Sequence, residues 1–291
     1  MFFVIERKKI LIYGVVLGLL LLGILGYVVY SPKTTAPVNS QGEGVAIPII
    51  MYHSVCKDGG LACDYVVSTE LFTNDMMYLK TNGYTTIFIS DIVEYVHNNK
   101  PLPKKPIVVT FDDGFLNNLT YVLPILESLD IQAVISVVGI YTERYTAEPD
   151  RNPVYAYLTW EDIKELAASQ RIEIGNHTYS MHELGARQGS LKKSTENSEQ
   201  YKALFTANVE KLQKALKSKV GINPSVFAYP YGFVSEESIP LIKNMGFKAA
   251  LTCNEKMNYI THDEEQLYHL SRFNRPGNIE TTEFMQRIAE K

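Results

Sequence analysis

Apolar and polar positions divide the chain near residue 45 into two stretches of different character. Residues 10 to 30 are 21 positions without a charge. At about 1.5 Å per helical residue they are long enough to cross a hydrocarbon core roughly 30 Å thick, so the run predicts one N-terminal transmembrane helix. Glu6-Arg7-Lys8-Lys9 precedes it and only Lys33 follows closely. The positive-inside rule therefore puts residues 1–9 in the cytoplasm and everything after residue 31 outside, as a single-pass protein of the cell membrane. The run is long for the apolar part of a cleaved signal peptide and no Ala-x-Ala site follows, so the expectation is an uncleaved anchor. Residues 31–44 are rich in Pro, Ser, Thr and Gly with one apolar Val38, a composition that cannot pack and reads as a flexible stalk.

From residue 45 the pattern switches between β-branched runs and helical periodicity. Val45 to Ser54 reads as a strand that starts near Pro48 and ends with His53 at its edge. Phe72, Met76 and Leu79 share a helical face after Ser68, stopped by Asn82-Gly83. Thr85 to Ile89 reads as a short strand, and Ser90 as the cap of a helix through Val96. A strand over residues 107–111 leads to a helix carrying Leu116, Leu119, Leu123 and Leu126, which Pro124 should kink. Ala133 to Val138 is a strand, residues 141 to 158 a Tyr-rich loop, and Thr159 with Asp162 a capping box for a helix through Ala168. A strand from Ile172 to Gly175, a polar insertion over 186–199 and a helix with Phe205, Val209, Leu212 and Leu216 on one face come next. Strands at Ser225 to Tyr229, Lys248 to Thr252 and Leu267 to Arg272, helices at 236–245 and 281–290, and a shorter segment near residue 262 complete the chain. Such alternation predicts an α/β domain over 45–291, a distorted (β/α) barrel of seven or eight strands with its chemistry at the strands' C-terminal ends.

Composition narrows the classes. With 46% hydrophobic residues in 291, the chain can bury one sizeable core, and the net charge of −4 without a Lys/Arg run argues against a nucleic-acid partner. Cys56 and Cys63 flank one loop and an oxidising exterior permits their pairing, with Cys253 left over; all three free is as compatible with the sequence.

Two places carry candidate chemistry. Ile107-Val108-Val109-Thr110-Phe111-Asp112-Asp113-Gly114 is a buried strand that delivers two carboxylates to a rim where the chain turns. Carboxylates beside such a strand need a cation, a partner or a reaction. On an extended backbone the two point to opposite sides, so that one can bind a metal while its neighbour acts as base. Taken alone, the stretch fits a hairpin turn equally well. Asn176-His177-Thr178-Tyr179-Ser180-Met181-His182 follows another strand and offers two imidazoles five residues apart, a spacing that needs a loop to bring both rings together. Two histidines and one carboxylate suffice for a divalent metal with open positions.

The motifs TFDDG and GNHTYSMH, with FAYPYG and the opening IPIIMYHSV, resemble the polysaccharide deacetylases of carbohydrate esterase family 4 and their NodB-like domain, from about residue 45 to 290. The histidine spacing and the early Met51-Tyr52-His53 are most similar to the branch that includes poly-N-acetylglucosamine deacetylases. The resemblance implies Asp113, His177 and His182 as metal ligands, with zinc the usual ion and cobalt, nickel or manganese alternatives. It implies Asp112 as the general base toward the attacking water and the backbone N–H of Tyr231 as an oxyanion donor. Amide cleavage also needs an acid for the amine. The resemblance offers either His269, in Leu267-Tyr268-His269, or His53 if that motif is permuted to the front; His53, ending its strand where the chemistry lies, is preferred.

The chain departs from the family pattern where Phe227-Ala228-Tyr229 replaces the arginine expected before Pro230, and no Asp-x-x-Asp-Trp motif exists. Arg272 is expected to take over by holding Asp112 ionised. The expected function is a membrane-anchored, metal-dependent hydrolase removing N-acetyl groups from N-acetylglucosamine units of a cell-wall or exopolysaccharide glycan. The alternatives are an O-acetyl esterase on xylan or another acetylated glycan, a non-catalytic glycan-binding domain, and, less compatible with an exterior site, an iron oxygenase. Tyr141, Tyr145, Tyr155 and Tyr157 are candidates for stacking on sugar rings.

Overall fold

The computed structural model of the protein describes residues 44–57 and 59–291. The expected membrane helix over 10–30, and all but the last residue of the expected stalk, lie outside the described residues. Among those described, no helix is long and apolar enough to cross a membrane.

The described chain begins with strands β1 (Val45–Ile47), β2 (Ile49–Tyr52), β3 (Ser54–Cys56) and β4 (Val66–Ser68), followed by a helix, Thr69–Thr81. That helix is capped by Ser68, whose hydroxyl accepts the Leu71 N–H. Next come β5 (Thr85–Thr86), the helix Ile89–Asn98, β6 (Pro106–Phe111) and β7 (Ala133–Val137). After the helices Gly139–Ala147 and Trp160–Ala168 stand β8 (Ile172–Asn176), the helix Ser198–Ala215, β9 (Val226–Ala228), the helix Ser238–Asn244 and β10 (Ala249–Leu251). β11 (Asn258–Ile260), β12 (Phe273–Asn274) and a final helix, Thr281–Ala289, end the chain.

The sheet runs β10-β9-β8-β7-β6-β2-β12, with β5 beside β6, and its pairings are parallel. β6, central to it, is buried at all six positions. A parallel strand covered on both faces needs an apolar run rather than alternation, which is why Pro106–Phe111 reads as one. The architecture is an α/β fold with a curled parallel sheet. Its two end strands meet through the last segment, where Leu270 bridges Leu251 of β10 just before Phe273 pairs with Ile50 of β2. Cores lie on both faces, one around Phe72, Phe111 and Leu126, the other around Phe205, Phe227 and Leu251.

Several expected elements differ. The strand expected from Leu267 to Arg272 is a 3-10 turn, Glu264–His269, capped by the Asp263 side chain, and the strand follows at Phe273–Asn274. Part of the expected loop over 141–158 is the helix Gly139–Ala147, whose first N–H groups are satisfied by the carbonyls of Thr178 and Tyr179. β5 stops at Thr86, and Phe88, not Ser90, is the residue before the next helix. Pro124 sits in the first turn of the helix Leu123–Leu129, and the break before it is a π-turn, Asn118–Val122. The expected insertion over 186–199 is anchored, with Arg187 buried and paired to Glu196. All three cysteines are free.

Candidate active site

β6 ends at Phe111, and the next residues leave the extended conformation. The Gly114 N–H donates to the Asp112 carbonyl at 2.9 Å, and Asp113 and Gly114 adopt φ of +71° and +73°. A Cβ on Gly114 would meet Val137 Cγ1 at 3.0 Å, so this turn needs glycine for its φ and for the approach of β7. The turn corrects the expectation that the two carboxylates face opposite sides. Both line one cavity of about 730 Å³, together with His53, His177, His182 and Tyr231.

The five-residue histidine spacing is bridged by a loop held at several points. Thr178 takes φ +70° and its N–H donates to the Asn176 side chain, while Asn208 of the helix Ser198–Ala215 accepts the N–H groups of Tyr179 and Ser180. The rings of His177 and His182 end up 5.1 Å apart. His177 Nδ1 lies 2.8 Å from the Ala228 carbonyl, which can only accept, so Nδ1 carries the proton and Nε2 offers a lone pair. His182 Nδ1 lies 3.2 Å from the Tyr231 hydroxyl, and the two rings are tilted against each other with centroids 4.5 Å apart.

Ligand atoms of Asp113, His177 and His182 all lie within 4.8 Å of one another. His182 Nε2 approaches Asp113 Oδ1 to 2.9 Å and His177 Nε2 approaches it to 3.7 Å, and the buried Oδ1 has no other polar partner. Two imidazole nitrogens and a carboxylate oxygen gathered this closely in a buried place fit a cation between them. Two imidazoles and one carboxylate make this a candidate site for a divalent metal.

Asp112 is 2% exposed and Arg272 fully buried. The guanidinium grips the carboxylate with both ends, Nη1 to Oδ1 at 2.8 Å and Nη2 to Oδ2 at 2.7 Å, while Nε donates to the Thr252 carbonyl. Burial pushes the Asp112 carboxyl up, but the charge of Arg272, helped by His177 and the two guanidinium hydrogen bonds, holds it well below the usual carboxylate range. Arg272 thus stands where it was expected to act, although it precedes the last strand rather than ending it.

His53 follows β2 and lines the same cavity, with Nδ1 buried and unpaired and its ring edge-on to Tyr65 at 4.9 Å. His269 is exposed at the end of its 3-10 turn and does not line the cavity. The strand expected to carry it is a 3-10 turn, and the Leu267-Tyr268-His269 match that kept it as an alternative lies outside the cavity. Tyr231 has φ +58° inside the turn Pro230–Gly232, the peptide flanking the cavity where an oxyanion donor was expected. Of the expected stacking residues, Tyr141 and Tyr145 pack against Tyr157 at 4.4 and 5.5 Å, and Tyr155 points to solvent on Asp150. The sequence reading missed the Tyr231 hydroxyl, Tyr65 and Cys253 as parts of this cavity. A strand-end filter could have raised Cys253, which follows β10; no signal marks Tyr65, which arrives from a long loop.

The profile of the family described as "Polysaccharide deacetylase" matches residues 99–250, just over half of the chain. Poly-beta-1,6-N-acetyl-D-glucosamine N-deacetylase of Escherichia coli strain K12 is 27% identical over 262 residues, covering 82% of this chain and 38% of the relative. This chain therefore spans little more than a third of that relative's length. The fold is shared with IcaB from Ammonifex degensii (TM-score 0.68, 24% identity, 86% of this chain and 97% of that one). It is shared equally with the Streptococcus pyogenes deacetylase PplD solved with acetate (TM-score 0.68, 22% identity, 84% and 98%).

Proposed function

Because the chain belongs to the polysaccharide deacetylase family, we propose that it hydrolyses the N-acetyl group of N-acetylglucosamine units in a cell-wall or exopolysaccharide glycan, releasing acetate and leaving the amine. One observation carries the reading. A carboxylate fixed in its ionised form by a buried arginine shares a cavity with an Asp-His-His triad suited to a cation and with an imidazole whose Nδ1 is unpaired. The relative from Escherichia coli, named for poly-beta-1,6-N-acetyl-D-glucosamine, supports an N-acetylated glucosamine polymer as the substrate class.

Asp113, His177 and His182 would hold the metal, zinc by the donor set, which when bound acidifies water and polarises the acetyl carbonyl. Asp112 accepts the proton of the attacking water, and Arg272 keeps its two oxygens aimed while it does so. The Tyr231 N–H stabilises the oxyanion. His53 donates the proton that the leaving amine requires as the C–N bond breaks. The charge-free run over residues 10 to 30, with basic residues before it, supports a membrane anchor that leaves this domain outside the cell.

Acetate release by the domain from N-acetylglucosamine oligomers, with and without chelator, tests the reading. Release that chelator abolishes and added zinc restores is expected. Acetate from O-acetylated xylan but not from the N-acetylated oligomers would replace it with an esterase. The histidines give a second measurement, in which His53→Ala lowers kcat by about a hundredfold or more and His269→Ala leaves it unchanged. The opposite pattern would return the acid role to His269.

A further inference from the structure

A second cavity, of about 520 Å³, lies beside the first, between the loop that carries Asp64 and the final helix. Its volume is in the range of small-ligand sites, about 300–1,000 Å³. The two cavities are not independent. Glu255 and Asn274 line both, and the adjacent residues Asp64 and Tyr65 divide between them, Asp64 in the second and Tyr65 in the first. Four residues therefore form a seam between the two cavities.

The chemistry of the seam suits a sugar chain. Tyr65 is 58% exposed although its backbone is fixed, with its carbonyl accepting the Ser54 N–H and that of Asp64 accepting Asn274 Nδ2 at 2.8 Å. A held aromatic ring open to solvent beside a cavity is a platform for the apolar face of a pyranose. Acceptors stand next to it. Glu255 uses Oε1 on the Asn274 N–H at 3.1 Å and is otherwise exposed, and Asn274 Oδ1 accepts nothing. The bond from Nδ2 to Asp64 fixes which end of the amide is oxygen. An acceptor buried without a donor costs about 1–3 kcal/mol, a cost that a hydroxyl or N–H of a bound ring removes. Asp64, Glu255 and Asn274 have no part in the acid–base chemistry described above, and Tyr65 touches it only through its edge-on contact with His53.

We propose that the two cavities form one groove for a hexosamine polymer, in which the unit being deacetylated lies over Asp113 while the chain crosses Tyr65, Glu255 and Asn274 into the second cavity. The proposal rests on the reading of the substrate as an N-acetylglucosamine polymer and adds where its neighbouring units bind. It gives the enzyme a preference for chains over single sugars, because remote units add binding that a monomer cannot make.

Binding is read separately from turnover in the Asp112→Asn protein, titrated by calorimetry with β-1,6-linked N-acetylglucosamine oligomers of one to five units. Affinity is expected to rise about tenfold or more between the dimer and the pentamer, 1.4 kcal/mol per tenfold step. Ile279→Trp, which fills the second cavity, and Tyr65→Ala, which removes a largely exposed ring, should each remove most of that rise; the ratio of pentamer to dimer affinity is the readout, so a general loss of stability does not mimic the effect. Equal affinity for all lengths, or a rise that survives both substitutions, overturns the groove. The reaction stands or falls on a different result. Length-dependent binding without acetate release from wild-type protein would keep the groove and sink the deacetylase reading. Acetate release with a flat length dependence would do the reverse.

Discussion

Asp112→Asn is expected to lower acetate release by about 10²–10⁴-fold, the usual contribution of a positioned general base, while zinc binding measured by equilibrium dialysis stays within a few-fold of wild type. Asparagine keeps the size of the side chain and one acceptor for Arg272, but cannot take a proton. The candidate metal triad does not include Asp112, whose Oδ2 lies 3.9 Å from His177 Nε2. A variant that lost metal and activity together would make Asp112 a ligand rather than a base.

Arg272 sharpens this expectation through pH. The carboxyl of Asp112 sits well below its ordinary value, so the base is lost only as pH falls through that depressed value, far under neutrality. Removing the guanidinium leaves burial, which raises a carboxyl, opposed only by the weaker pull of His177 and His53. Arg272→Met should therefore move the acid limb of kcat/KM upward, into or above the usual carboxylate range near 4, with activity reduced at every pH because the carboxylate is no longer aimed. Lysine restores the charge without the two-pronged grip and should recover part of the pH shift but less of the rate. An unchanged acid limb in the methionine variant would assign Arg272 to stability alone. A strongly ionised Asp112 is also a weak base, so in the proposed reaction a bound cation would have to acidify the water.

How much of this was legible in the sequence depended on whether neighbours or distant contacts decide a feature. The capping box at Thr159 and Asp162 and the helix that begins after Ser68 are local signals, and both form as read. The parallel sheet follows from β-branched runs alternating with helical periods. The helix Gly139–Ala147 was missed because its Thr- and Tyr-rich sequence has little helical preference; the carbonyls of Thr178 and Tyr179, some forty residues on, supply its first acceptors. The last strand was misplaced because Leu267, Tyr268 and Leu270 look like a strand but are buried from a 3-10 turn started by Asp263. At the site, residue types and strand-end positions pointed to the Asp112-Asp113 pair, His177 and His182, and the family resemblance singled out Asp113 as the ligand, whereas their convergence depends on two left-handed residues, Asp113 and Thr178, that periodicity cannot foresee. Arg272 was found by position along the chain, and its two-pronged grip on Asp112 is a property of the fold.

Asp75→Ala is expected to cost the domain about 3–5 kcal/mol, the effect of leaving one member of a buried ion pair without its partner. At roughly 2–4 °C per kcal/mol for a domain of this size, the melting temperature should fall by roughly 6–20 °C. Asp75 lies on the helix Thr69–Thr81 with no exposed surface and receives Arg275 Nε at 2.7 Å and Nη2 at 3.0 Å, the Tyr52 hydroxyl at 2.8 Å and the Thr281 hydroxyl at 2.6 Å. Nη1 of Arg275 donates to the carbonyls of Pro276 and Ile279, so the whole guanidinium is satisfied inside the core. One carboxylate thus ties β2, the segment after β12 and the start of the final helix together. The same segment carries Arg272 three residues earlier, and the Arg275 N–H donates to the Met51 carbonyl of β2, so the anchor fixes the strand that presents the guanidinium to Asp112. A double replacement, Asp75→Leu with Arg275→Met, separates charge from packing. Because no unpaired ion remains, it should recover a substantial part of the lost stability. If the double variant melts lower than Asp75→Ala alone, the pair contributes through its hydrogen-bond geometry rather than through mutual neutralisation, and the lost contacts to Tyr52, Thr281 and the two carbonyls carry the difference.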